Sequence, residues 1–439
     1  MRWLFWRCKK MYRKFFSVFF AAVLVLCALS FHGCAREKAE GGEEMPEETG
    51  HESGAADEDF KIGVILLGDE SEGYTAAHID GVRAAASELQ LEEDQILWRY
   101  DVPEDGGCYD TAMELAAAGC EVIFSNSYNH QSSMEQAARE KPDVTFVAIT
   151  GDTAAVSGLD NFCNAFTKIY EARYVSGVVA GMKLAELAAA GSLIENNYDA
   201  DGNILVGYVG AYPYAEETSA YTAFFLGIRS VVENVVMQVQ YANAWFDVEK
   251  ERAAANLLME NGCVIIGQGS DSTGVPAAVQ DAYDSGKQVY LAGYNVDLLH
   301  VAPDVALTSA ASNWAVYYKL AISAAQRGEK LPKDWAEGYA QDAVGITVLG
   351  SACAAGTAER VEEVERAIRD GDLQVFDISK FTVDGKQVES CIVDLNNNFD
   401  TSDAEDMEAI WDGCFHESEL RSAPSFSLHV DGIVQLNAD

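Results

Sequence analysis

The chain has 439 residues, 49% hydrophobic and 23% charged, a composition ordinary for folded proteins and a length that exceeds the roughly 250–300 residues one core can serve. Its 30 basic residues face 70 acidic ones. Six of the basic residues (Arg2, Arg7, Lys9, Lys10, Arg13, Lys14) precede Gly33, so the remainder sets 24 cations against 70 anions, a surface that repels phosphate backbones and argues against nucleic acid as a partner.

At the N-terminus the basic MRWLFWRCKKMYRKFF leads into the apolar SVFFAAVLVLCALSF and then His32-Gly33-Cys34. A basic start, an apolar run short for spanning a bilayer and a small residue before a cleavage point describe an export signal over residues 1–33. Gly33-Cys34 resembles the bacterial lipobox, which implies lipidation of Cys34, although Phe31 and His32 stand where that motif prefers Leu and a small residue. An ordinary cleaved signal or an uncleaved anchor are the alternatives. Residues 34–59 have no apolar period and form an acidic tether, some tens of Å long at about 5–6 Å times the square root of its length. The other cysteines show no C-x-x-C pair; seven lie beyond Cys34, and Cys120 and Cys263 are expected to be small buried hydrophobes.

The folded region opens with the strand IGVILL, the loop GDESEG and the helix YTAAHIDGVRAAASEL, followed by the strand QILWRYDVP and a helix from Asp110 to Ala118. Between Ala112 and Gly151 a helix ends in Gly119-Cys120, the burst EVIF follows, then the polar turn SNSYNHQS, a helix and the strand VTFVAIT. The same order returns between Ala253 and Asn295, with Gly262-Cys263, VIIG, the turn QGSDSTG, a helix and QVYLAGYN. Short continuous apolar strands alternating with helices predict parallel sheets buried on both faces, hence two α/β lobes. Ligands of such sheets bind beyond the strand carboxyl ends, so the two polar turns are expected to face each other across a cleft.

The helix from Ile169 carries Gly177, Ala180 and Gly181 on packed turns. Charges at Lys168, Glu171, Arg173, Lys183 and Glu186 make it a core helix rather than a membrane span. Then come the strand ILVGYVGAYP, a helix over about Glu217–Val232, the strand VVMQVQYANAW and a helix leading into the second echo. A strand around ALTSA, an aromatic-rich helix, the strand AVGITVL, the helix TAERVEEVERAIRDG and a β-rich DLQVFDISKFTVDGKQVESCIVDL complete the predicted elements. The extension 396–439 is not placed by its pattern. Within it and just before, Asp394, Asn396, Asn398, Asp400, Ser402 and Glu405 follow a calcium-loop spacing, but Phe399 occupies the position that needs Gly, which favours a solvated acidic loop and no metal.

Candidate ligand contacts follow from chemistry and position. Tyr74, Trp245 and Trp314 offer flat faces; Asp69, Ser127, Asp271, Asn295 and Asp297 offer acceptors and donors for hydroxyls. Core filling for the aromatics and helix capping for the acids, Asp271 especially, are the competing explanations. The chain lacks H-E-x-x-H, G-x-S-x-G and G-x-x-x-x-G-K-[ST], which argues against an enzyme, and no cofactor is called for.

GYTAAHIDGVRAA, IYEARYVSGVVAG, ILVGYVGAYPY, ANAWFDVEKERAAA, GSDSTGVPAAVQDA, LAGYNVDLLHVAPDVALTSAASNW and DGDLQVF occur in one order from about Lys61 to Phe376. That order resembles the basic membrane protein family, the PnrA-like or Med-like solute-binding lipoproteins of ABC transporters. The resemblance implies a type I periplasmic binding protein: two Rossmann-like lobes, 60–164 plus 296–311 and 165–295 plus 312–395, with three crossings near Asn164, Asn295 and Ala311. It implies a purine nucleoside or related ligand in the cleft, with Asp69 near the family's acidic position, Tyr74 in its aromatic position, Tyr212, Tyr214 or Tyr221 as a second ring, and Asn295 and Asp297 in its acidic site. Ser312 and Asn313 replace a family lysine. It further implies a monomer, lipid-anchored on the extracytoplasmic face, delivering to a membrane permease. A sensing receptor of the same fold remains the alternative. Metabolic labelling with a clickable fatty acid should mark the wild-type protein and leave Cys34→Ala unlabelled; a labelled variant would remove Cys34 as the acceptor.

Overall fold

Apolar bursts bounded by polar turns become strands wherever both flanking faces can be covered by helices, and the chain does this twice. The structure, a computed structural model, describes residues 59–396, 400–402 and 406–438. The expected export signal, Cys34, nearly all of the expected tether, and Asn398 and Glu405 of the acidic run lie outside the described residues. Among those described, no helix is long and apolar enough to cross a membrane, and the seven cysteines from Cys108 to Cys414 are unpaired.

The first lobe runs β1 (Ile62–Ile65), α1 (Gly73–Leu89), β2 (Ile96–Arg99), α2 (Gly106–Ala117), β3 (Val122–Ser125), α3 (Gln131–Glu140), β4 (Thr145–Ile149) and β5 (Phe162–Thr167). The chain then crosses to α4 (Ile169–Ala189), β6 (Ile204–Gly210), α5 (Ala215–Arg229), β7 (Val235–Tyr241), α6 (Val248–Glu260), β8 (Ile265–Gln268), α7 (Gly274–Asp284), β9 (Tyr290–Tyr294) and β10 (Ala306–Ser312). It returns for α8 (Trp314–Gln326) and β11 (Asp334–Glu337), and crosses again to β12 (Val344–Ile346) and α9 (Thr357–Arg369). The sheets are ordered β11-β5-β4-β3-β1-β2 and β12-β10-β9-β8-β6-β7, with every pair parallel except β10 with β12. β1, β3, β6 and β8 are buried throughout, as expected of parallel strands covered on both faces.

The lobe boundaries differ from the sequence expectation. β10, expected in the first lobe, is hydrogen-bonded into the second sheet beside β9, so the chain stays in the second lobe past Asn295. α8, expected in the second, packs on the first, where a Cβ on Gly81 would lie 2.7 Å from that of Trp314. The crossings therefore fall after Thr167, after Ser312 and between β11 and β12. Apolar pattern cannot separate these cases, because a strand or helix of either lobe is apolar in the same way. Thr167 and Ser312 hydroxyls meet at 2.7 Å, and the Tyr339 amide donates to Glu171 Oε2 at 2.7 Å, tying the crossing segments together.

α4 and α5 approach closely, as its small residues predicted. A Cβ at Gly177 would lie 2.1 Å from the Phe224 carbonyl oxygen, and one at Gly227 the same distance from that of Tyr174, so neither position admits a side chain.

The stretch expected to be β-rich after Asp372 is mostly irregular. It contributes Phe376 and Phe381 to the core, with short pairs β13 (Ile392–Val393) with β14 (Met407–Glu408) and β15 (Ile410–Trp411) with β16 (Cys414–Phe415). The extension then reaches both lobes. Arg421 pairs with Asp152 at 3.7 Å and the Ser422 amide donates to Asp334 at 2.7 Å on the first; β17 (Ile433–Gln435) adds a parallel strand to β7 on the second. Phe426 is fully buried, stacked on Phe376 at 4.3 Å and edge-on to Phe415 at 4.8 Å. Phe426→Ala should destabilise the protein by about 3–5 kcal/mol in urea unfolding. Val434→Ala, at a side chain 47% exposed, should change it little.

Candidate ligand-binding cleft

The carboxyl ends of the two sheets face each other across a narrow gap, with about 40 Å³ of space for a water-sized sphere and about 480 Å³ when all the open space out to its mouth is counted. Leu67, Glu72, Tyr74, Asn126, Ser127, Tyr128 and Thr150 line it from the first lobe. Glu216, Trp245, Gly269, Asp271 and Tyr294 line it from the second. The lobes touch at its edge, where the Gly73 amide donates to the Asp271 carbonyl at 3.4 Å.

Each wall is positioned from beneath. On the first lobe, Asn126, just past β3, accepts from the Leu67 amide at 2.8 Å and donates to the Thr75 hydroxyl at 3.2 Å, and Thr75 donates to Glu72. Ser127 donates to Glu104, and Tyr128 donates to Asp152 at 3.1 Å. Thr150 holds φ +66°, a left-handed conformation that costs a β-branched residue about 1–3 kcal/mol and turns the chain at the end of β4.

On the second lobe, fully buried Glu251 accepts from the Ser270 hydroxyl at 2.8 Å and the Ser272 amide at 3.2 Å, shaping the loop after β8. Asp271 accepts from Asn295 Nδ2 at 2.7 Å. Buried Glu217 accepts from the Ala211 amide at 2.9 Å and lies against Gly269, where an added Cβ would fall 2.3 Å from its carboxylate. Arg173 is buried, donates to the Gln268 carbonyl at 2.5 Å and stacks its guanidinium 3.6 Å from the Tyr294 ring centre, so Tyr294 stands between this cation and the gap.

Burial dominates the acid–base character. Desolvation pushes Glu216 up to about 8, with repulsion from Glu217 adding and Arg173 opposing, and pushes Glu217 up to about 7. Asp271 is raised well above the usual carboxylate range by burial, then by Glu72, against the Asn295 hydrogen bond; Glu72 is raised by burial against its Thr75 bond.

Of the ten expected contacts, the structure brings Tyr74, Ser127, Trp245 and Asp271 to the gap. Tyr212 and Tyr214 pack on Trp245, with ring centres 5.2 and 6.2 Å from it, and are not among the residues around the gap, Tyr214 being 53% exposed. Asn295, at φ +61°, is buried and orients Asp271. Asp69 is exposed and closes its own turn on the Ser71 amide at 2.8 Å; Asp297 is exposed and accepts from the Leu299 amide at 2.8 Å. Trp314 is 2% exposed in the first lobe's core, stacked on His78 at 4.3 Å, while His78 meets the Tyr318 hydroxyl at 2.8 Å and is held neutral by burial, its value lowered to about 3.

Sequence reasoning missed Glu72, Asn126, Tyr128, Thr150, Glu216 and Tyr294. Most sit at the last residue of a strand, just past it, or beside the first residue of the following helix, a positional signal that picks out Glu72 rather than Asp69 in GDESEG. Among the described residues no group of three or more His, Cys, Asp or Glu is arranged to hold a metal ion, and Asn398 and Glu405 of the acidic run lie outside those residues.

Residues 61–371 match the family described as ABC transporter substrate-binding protein PnrA-like. A purine-binding protein of Brucella abortus is 29% identical over 326 residues, 73% of this chain and 84% of the relative. A putative ABC transporter glucose-binding protein of Haloferax volcanii is 31% identical over 261 residues, 58% of each chain. The solved structure of an ABC transporter solute-binding protein from Aeropyrum pernix superposes with a TM-score of 0.59 at 14% identity, covering 72% of this chain and 93% of that one, a likeness of fold.

The raised carboxylates make stability depend on pH. Glu216 titrates near 8 in the folded ligand-free chain and near 4.5 when unfolded, so its contribution is fully present below about pH 4.5 and is lost as the pH rises through about 8. Thermal melts of ligand-free protein should fall across this window, and Glu216→Gln should flatten the fall. Equal slopes for the two proteins would contradict the burial of this carboxyl.

Proposed function

Because the chain belongs to the PnrA-like family of ABC transporter substrate-binding proteins, which bind small solutes for a permease and are not enzymes, we propose that its interlobe gap takes a purine nucleoside or a closely related ring compound. The observation that carries this reading is the pairing of flat rings with hydrogen-bond acceptors from both lobes. Tyr74 and Tyr128 come from one side, Trp245 and Tyr294 from the other, with Glu72, Glu216 and Asp271 among them. Rings of this kind grip an unsaturated base, and carboxylates accept from ribose hydroxyls and ring N–H groups. The purine-binding relative in Brucella abortus supports the same ligand class.

Residues from both lobes touch one solute, so ligand contacts complete only when the lobes meet, and binding favours the closed form by the difference in contacts. A lipid on Cys34 and the acidic tether would keep this closed form near the membrane and its permease.

Calorimetry on protein stripped of ligand by unfolding and refolding tests the reading with adenosine, guanosine and inosine against glucose, arabinose and amino acids. Purine nucleosides should bind more tightly than every control, and Tyr74→Ala or Trp245→Ala should each weaken binding by roughly 1–3 kcal/mol, the cost of losing a stacking ring. Glucose binding without purine binding would transfer the assignment to a sugar.

A further inference from the structure

Three of the twelve residues around the gap are carboxylates, Glu72, Glu216 and Asp271, four are aromatic, and none is Lys, Arg or His. Two more buried carboxylates, Glu217 and Glu251, stand directly behind the second wall. Against these five acids the neighbouring cation is Arg173, which is committed to the Gln268 carbonyl and covered by Tyr294. The wall the ligand meets is therefore acidic and aromatic, with Arg173 covered by Tyr294 and Arg421 paired with Asp152 behind Tyr128.

We infer that this gap selects a ligand carrying positive charge on or beside its ring, such as a cationic purine or another cationic nitrogen heteroaromatic, over its neutral counterpart. The inference rests on reading the gap as the solute site and deepens that reading. Aromatic faces attract cations, more strongly once water is excluded, and a buried carboxylate is costly unless a charge offsets it. A neutral ribose can donate hydroxyl hydrogens to these acids but brings no charge, and so leaves Glu72, Asp271 and Glu216 near their protonated forms. A cation in the gap offsets the charged forms of all three. A metal counter-ion is not what the acids are arranged for, since among the described residues no three such groups are placed to hold one. The acidic surface of the chain adds to the preference by raising the local concentration of cations at the mouth.

The test pairs ligands that differ by a methyl group and a charge. Stripped full-length protein is titrated at neutral pH with adenosine and 1-methyladenosine, with guanosine and 7-methylguanosine, and with nicotinamide and 1-methylnicotinamide. At least one cation should bind roughly tenfold more tightly than its neutral parent, the scale of a single desolvated cation–π or ion-pair contact. That ratio should fall toward one in Glu216→Gln and in Glu72→Gln, while far-ultraviolet circular dichroism shows both variants folded.

If adenosine and guanosine bind as tightly as both methylated purines or more so, and nicotinamide as tightly as 1-methylnicotinamide, the charge preference is overturned and the purine reading stands. If 1-methylnicotinamide binds and no purine of either charge does, the purine reading falls and the charge preference stands. Binding of none of the six compounds would overturn both. A cationic advantage unchanged in both carboxylate variants would overturn the role given to these residues.

Discussion

A parallel sheet buries its interior in strand after strand of apolar side chains and leaves chemistry to one edge, where the strands end and the backbone turns toward a helix. Both lobes obey this constraint, and the crossing segments hold the two edges face to face. The hydroxyl contact between Thr167 and Ser312 and the bond from Tyr339 to Glu171 set that relation, because they join segments that pass from one core to the other. Everything lining the gap depends on it. Tyr74 and Trp245 are far apart in the chain and share a cavity only because the edges meet.

The second-lobe wall is unusual for how many acids lie in it and behind it. Glu251 accepts from the Ser270 hydroxyl and the Ser272 amide, while Glu217 accepts the Ala211 amide on one oxygen and keeps its Oε2 buried with no hydrogen bond among the described residues, and both shape the loops at Ala211 and Ser270 to Ser272. Arg173 offsets part of their charge and presses Tyr294 toward the gap. Glu72, Glu216 and Asp271 face a ligand instead, and in the empty protein burial holds them toward their protonated forms. A cavity built this way responds to what enters it, since a donor or cation that restores the charged forms also releases their protons.

The C-terminal extension lies beyond the residues matched to the family, yet it is not an appendage. Phe426 and Phe415 complete a core begun by Phe376 and Phe381. Glu417, pushed up to about 7 by burial, receives the amides of Ser425 and Phe426 beneath that cluster. By touching Asp152 and Asp334 on one lobe and β7 on the other, the extension adds a further link between the two bodies outside the crossings.

Two α/β lobes, parallel sheets, the close α4–α5 pairing and a cleft at the polar turns were legible in the sequence, because apolar bursts, helical periods and Gly177 act over a few residues and carry their physical meaning locally. Tyr74, Ser127, Trp245 and Asp271 were legible for the same reason, being flat or polar groups in strand-end turns. The lobe to which β10 and α8 belong was not, since an apolar element fits either core and only hydrogen-bond register decides. Nor was the burial of Trp314, the outward turn of Asp69, or the selection of Glu72 and Glu216 for the gap: neighbouring acids read alike in a sequence, and which one loses its water is settled by the packing of chain segments hundreds of residues apart.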